Sequence, residues 1–193
     1  MNSEDSVVSD SSFYIAFLSP HEIDDPDALV EILKKYEFFL GKVVLGEISE
    51  KHSNIVDNIG FKNMVKILKR YDYSSLLSIF GSKVFEKGEY ECMAIAYFLY
   101  RKKSGLHSLI LDDKSARRWV NKNIPELSKF VRYSLRFLVN CCCSDGKLSE
   151  EKVNAILNKV VLAIRMGKRP FNLTERNIYV VDQLLNEVDG CQN

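Results

Sequence analysis

Five carboxylates stand out because of what precedes them. Asp10 closes the stretch "SVVSD", Glu47 follows "KVVLG", and the pair Asp112–Asp113 ends the run "HSLIL". Glu91 lies in "GEYECMAIAYF", where a helix puts positions 91, 95 and 98 on one face with Ile95 and Phe98. A carboxylate on such an apolar face needs a partner, because burying a charge alone is costly. Carboxylates crowded together repel one another unless protons or a cation neutralise them. Hard oxygen donors without a nearby Cys or His cluster suit Mg²⁺ or Mn²⁺. A common task for such a cluster is water activation for attack on a phosphodiester. Each acid also has a plainer reading: Asp10 as a turn residue, Glu47 as a solvated first-turn acid, Asp113 as a helix cap. Glu89, two residues from Glu91, points elsewhere on a regular helix and reads as an acid favouring the helix N-terminus.

The elements that must position these acids follow from periodicity and punctuation. "SVVSD" predicts a short strand, then "SSFYIAFLS" a helix with Ser11 or Ser12 at its cap. "DALVEILKKYEFFL" has Leu29, Ile32, Leu33 and Tyr36 at helical spacing and ends at Gly41. "KVVLG" predicts a second buried strand; "FKNMVKILKRY" and "YSSLLSIF" predict helices. "EYECMAIAYFLYRKK" is helical between Gly88 and Gly105, "HSLIL" is the third strand, "KSARRWVNK" a helix and "KFVRYS" a short last strand. Beyond these, "LRFLVNCCC", "SEEKVNAILNKVVLAIRMG" and "TERNIYVVDQLLNEV" are helical patterns. Strands alternating with helices predict an α/β fold with a central parallel sheet covered by helices. Residues 1–140 form the α/β domain and residues 141–193 a C-terminal helical extension. In such a sheet, sites lie at the carboxyl ends of the strands, where three of the four predicted strands deliver acids.

Composition narrows the class. The chain has 193 residues, 46% of them hydrophobic, with a net charge of +1, so no global field favours a polyanion and any such contact needs a local patch. Cys141, Cys142 and Cys143 are consecutive, which argues against a disulfide framework and for small apolar residues in a reduced protein. No C-x-x-C pairing suits zinc, no phosphate-binding glycine loop is present, and His21, His52 and His107 are scattered. The start "MNSEDS" is polar and acidic, and no run approaches the ~20 apolar residues of a membrane span. A soluble cytoplasmic protein with no membrane partner is expected.

The order of motifs resembles the PIN-domain nucleases. "VVSDSSFYIAFL" is similar to their opening strand, Asp, Ser/Thr and helix; "KVVLGEIS" resembles their second acidic motif. "GEYECMAIAYFL" and "LILDDKSARRWV" resemble the G-E-x-E-A-I-like and L-D-D/E-x-x-A-R motifs of one subgroup, whose helical tail the C-terminus also resembles. VapC-type toxins belong to the wider family. The resemblance implies a three-layer α/β/α fold and a Mg²⁺- or Mn²⁺-dependent ribonuclease. By position, Asp10, Glu47 and Glu91 match the first three acidic sites, and Asp112 or Asp113 the fourth, one taking metal while the other caps the helix. The chain departs from the pattern in having "RYSLRF" where a G-T is expected, Cys92 for a small Ala, and Leu111 near the place of a Ser/Thr supporting the fourth acid.

Among the basic residues, Lys114, Arg117, Arg118, Arg132 and Arg136 stand near enough in sequence to the acids to meet a nucleic-acid backbone. Arg117 is the preferred phosphate contact, with an ion pair to the neighbouring aspartates as its structural reading. Ser11, beside Asp10, is the second candidate substrate contact. The expected partners are single-stranded RNA, an antitoxin or other protein, and a second copy through the stripes of helices 27–37 and 60–70, which also suit a core. The reading from another class is a PIN-like module whose catalysis has decayed and which binds RNA or a protein.

Overall fold

Four consecutive buried residues, Ser6–Ser9, form the central strand β1, as a short apolar run covered on both faces should. The computed structural model describes residues 5–69, 87–102 and 105–191. After β1 come α1 (Ser11–Leu18), α2 (Pro26–Lys35), β2 (Glu37–Leu40), α3 (Lys42–Asn58), α4 (Phe61–Met64) and β3 (Val65–Ile67). Then follow α5 (Lys87–Arg101), β4 (Leu106–Ile110), α6 (Lys114–Asn123), β5 (Val131–Arg132), α7 (Ser134–Cys143), α8 (Glu150–Arg165) and α9 (Ile178–Asp189). The five strands form one parallel sheet in the order β3-β2-β1-β4-β5, flanked by helices, which is the expected α/β/α arrangement.

Three stretches differ from the sequence reading. "EFFL" is strand β2, not the end of a helix, because the chain becomes extended at Tyr36. "KVVLG" is correspondingly the start of α3 rather than a strand, so Glu47 rides on a helix and not at a strand end. Of the predicted helix "FKNMVKILKRY", the described residues form one helical turn, α4, followed by strand β3. The helix expected over "YSSLLSIF" lies outside the described residues.

One hydrophobic core runs from Val7 to Val188, so the C-terminal helices pack into the same interior as the sheet, and the expected boundary at residue 140 falls inside α7. Phe137 of α7 meets Phe13 and Phe38 edge-on at 5.8 and 6.1 Å between ring centres. The apolar stripe of α2, Ala28, Leu29, Ile32 and Leu33, is buried in that core, which is its simpler reading. At the amino ends of the strands the Tyr36 hydroxyl donates to Asp145 at 2.5 Å, and His107 lies 3.2 Å from the same carboxylate. Thus His107 is structural, tying β4 to the turn after α7. No helix is long and apolar enough to cross a membrane among the described residues.

The cysteines correct the expectation of a fully reduced protein. Cys143, at the end of α7, is bonded to Cys191, just past α9, with 5.2 Å between their Cα atoms. Helical rotation separates the consecutive cysteines: Cys141 is buried in the core, while Cys143 turns outward to a partner 48 residues away. Closing a loop of that size contributes roughly 2–4 kcal/mol. A reductant is therefore expected to lower the unfolding midpoint of the native protein and to leave that of Cys143→Ser unchanged, as read by denaturant titration.

Candidate functional site

The site begins with the neighbouring strands β1 and β4. They flank the point where the chain, having run outward through β2 and β3, returns to the other side of β1. Ligand crevices of parallel sheets open at such a switch point. Asp10 follows the last residue of β1, and its backbone N–H donates to Ile110 O at 3.2 Å. Asp112 lies two residues beyond β4, so the two aspartates leave the sheet side by side. The Asp112 N–H donates to Asp10 Oδ2 at 3.1 Å, and the Ser12 hydroxyl donates to Asp10 Oδ1 at 2.5 Å and to Asp112 Oδ2 at 3.2 Å. From α7, Ser134 gives Asp112 both its N–H, at 2.8 Å, and its hydroxyl, at 2.6 Å. The hydroxyl support that Leu111 cannot provide is thus supplied by the serine of "RYSLRF".

A cavity of about 630 Å³ opens above this pair. Asp10, Glu22, Glu47, Glu89 and Asp113 bring carboxylates to its walls, with Lys51 and Ser11 among them. Glu47 and Lys51 are one turn apart on α3. The Glu47 carboxylate approaches the first turn of α5 so closely that a Cβ on Gly88 would lie 2.9 Å from it. Asp113 caps α6 by accepting from the Ala116 N–H at 2.6 Å, and still lines the cavity. The ambiguity of the aspartate pair therefore resolves into two positions: Asp112 is bonded to Asp10 and two serines, and Asp113 faces the cavity as the cap.

Burial and the charge of Asp112 push Asp10 from 3.8 up to about 7, against the lowering effect of its hydrogen bonds. Burial likewise raises Asp112, although Ser134, Ser12 and the charge of Arg117 pull it down. Glu22 is raised by burial as well. Cys92, behind Asp10, donates to Ser9 O at 3.2 Å; burial and the surrounding acids push it up, so it stays a thiol.

Glu91 is not part of the cavity. It is buried as its helical face requires, but its partner is the start of α3: Oε1 accepts from Val43 N–H at 3.2 Å and Oε2 from Val44 N–H at 2.9 Å. A carboxylate at the free amides and positive end of a helix is a stable arrangement. Glu89 is a first-turn acid of α5, as its position in the sequence leads one to expect, and from there it also lines the cavity. Arg117 also lies outside it. Its guanidinium donates to Leu111 O and Asp112 O at 2.6 and 2.8 Å, steadying the turn between β4 and α6. Lys51 and Glu22 carry no signal in the sequence by themselves. Lys51 becomes legible once Glu47 is known to be helical, since it recurs four residues later.

Among the described residues, no three His, Cys, Asp or Glu side chains are arranged to hold one ion between them. What the cavity offers is hard oxygen donors in its lining, with Asp10 raised by burial and like charge beyond what its hydrogen bonds offset. Mg²⁺ commonly binds through one or two carboxylates, completing its shell with water and substrate phosphate. The donor chemistry fits Mg²⁺ or Mn²⁺ in that mode, with Asp10, Glu47, Glu89 and Asp113 among the carboxylates that line the cavity. Comparison of the chain with family models, with curated proteins and with solved structures finds no match.

Proposed function

We propose that the chain is a metal-dependent ribonuclease of the PIN-like kind, hydrolysing phosphodiester bonds of single-stranded RNA in the acidic cavity. The observation that carries this reading is the hydrogen-bonded pair Asp10–Asp112 at the switch point of a parallel sheet, beneath a cavity walled by further carboxylates. A bound Mg²⁺ or Mn²⁺ would act as a Lewis acid on the phosphate and lower the pKa of an attacking water. Asp10, braced by the Ser12 hydroxyl and the Asp112 N–H, and Glu47 would hold it, with water and substrate phosphate completing its shell. Lys51 offers the substrate phosphate a cation inside an otherwise acidic cavity. This resolves the conflict of bringing a polyanion to a cluster of acids, because the ion and Lys51 together offset their charge.

The test is Mn²⁺-dependent cleavage of a single-stranded RNA by the purified chain and by Glu47→Gln, with thermal melting in parallel. Mn²⁺ is expected to raise the melting temperature of the wild type, since it binds only the folded protein, and to do so less for the variant. Cleavage should require the metal and fall in the variant. Tight RNA binding with no turnover under any metal would instead assign the chain to the decayed binding module.

A further inference from the structure

The helix α6 has a second polar side. Lys114, Arg117, Arg118 and Asn121 recur at i, i+3, i+4 and i+7, forming one stripe. Opposite it stand Arg132 of β5 and Arg136 of α7. Together these five cations line a cleft of about 650 Å³ whose described walls carry no acid. Arg136 is paired to Glu187 of α9 at 2.5 Å, and Arg117 is anchored on two backbone carbonyls. Lys114, Arg118 and Arg132 have no ion-pair partner among the described residues. Burial and the neighbouring Arg136 push Arg132 down, the mark of like charges held together.

The cleft adjoins the acidic cavity through a single turn. Asp113 lines the cavity, and the next residue, Lys114, lines the cleft. From Lys114 to Asn121 the stripe climbs about 10 Å along α6, enough to meet more than one phosphate. Guanidinium groups hold phosphate oxygens through paired donors, and phosphate contacts position a strand without reading its sequence.

We infer that this cleft binds the phosphodiester backbone of the RNA strand that the acidic cavity cuts, gripping the segment that continues past the cleaved bond. The inference rests on the ribonuclease reading for the identity of the strand. It gives the chain a requirement that the acidic cavity alone would not impose: a substrate long enough to reach the cleft. The grip is electrostatic, so it weakens steeply with salt.

Fluorescence anisotropy in EDTA with a labelled, cleavage-resistant 2′-O-methyl RNA of about 12 nucleotides tests this, at about 50 and about 200 mM salt. Arg118→Glu, on an exposed position, and Arg132→Glu are compared with Lys122→Glu, a reversal of equal charge on α6 outside the cleft. Each cleft reversal should weaken binding more than about tenfold and flatten the salt dependence by about 0.7 for each phosphate no longer gripped. Lys122→Glu should leave both unchanged. With a cleavable strand of the same length, Arg118→Glu should raise KM and leave kcat nearly intact. Equal effects of all three reversals, or no binding by the wild type, would overturn the cleft while leaving the acidic cavity's activity to be judged by its own assay. Selective loss of binding in a chain that never cleaves RNA would uphold the cleft and remove the ribonuclease reading.

Discussion

Replacing Asp10 by asparagine is expected to stabilise the metal-free protein at pH 8 while removing both its response to Mn²⁺ and its cleavage of RNA. The carboxyl titrates at about 7 in the folded chain against 3.8 as its ordinary value. A group raised in this way contributes its full stability below about pH 4 and loses it as the pH climbs through 7. At pH 8 the wild type therefore bears a buried carboxylate beside Asp112, whose removal is worth on the order of a few kcal/mol. Asparagine fits the same place: its oxygen can accept from the Asp112 N–H, and its amide can donate to the Ser12 hydroxyl. At pH 4 the two proteins should have similar stability. With excess Mn²⁺ at pH 8 the order should narrow or invert, since the cation favours only the charged native site. Cleavage should fall by more than about a hundredfold, the scale for losing one positioned electrostatic group. Denaturant titrations at both pH values, in EDTA and in Mn²⁺, read the whole pattern; an asparagine variant less stable than wild type at pH 8 in EDTA would contradict it.

Glu91→Ala is the second large effect, and it acts on the fold rather than the chemistry. The carboxylate is 1% exposed and occupies the amides of Val43 and Val44 at the start of α3. Its loss strands the buried Val44 N–H and the part-buried Val43 N–H and opens a void, together on the order of 4 kcal/mol. Gly41 gives an independent approach to the same contact, because a Cβ there would overlap the Glu91 carboxylate. Gly41→Ala should cost about 1–3 kcal/mol or more by displacing that carboxylate. In the double variant the new methyl group enters space that the carboxylate has vacated, so the combined loss should be smaller than the sum of the two. Strict additivity in equilibrium unfolding would show that Glu91 and Gly41 do not meet as described.

Some of this is legible in the sequence, and the rest is hidden for physical reasons. Asp10 and Asp112 can be read because each follows a short buried run, and the sheet edge is where a parallel fold delivers such residues. Glu47 is found for a reason that does not hold. "KVVLG" has the valines of a strand, but its conformation is helical, and its first amides are satisfied by Glu91 from a different helix. No local pattern reports a cap that arrives from 47 positions away. The same contact explains why Glu89 and not Glu91 lines the cavity. Periodicity marks Glu91 as inward-facing, which it is, yet whether inward means the cavity or a helix end depends on packing alone. "EFFL" escapes detection because helical spacing runs into it from α2 with no glycine or proline to mark the change. The Cys143–Cys191 bond lies beyond reading for a related reason: adjacency of three cysteines says nothing about which one a distant helix end will approach.

That borrowed cap also dictates an order of events during synthesis. Until residue 91 has emerged from the ribosome, the start of α3 lacks the carboxylate that satisfies it, and β1 has only β2 beside it. Long-range pairings of this kind close late, because chain entropy must be overcome before they return anything. The strand bearing Asp112 thus comes to Asp10 only when the second half of the chain docks. Glu89 and Asp113 join the cavity from that later half, so whatever the assembled cavity does begins only once translation has delivered both.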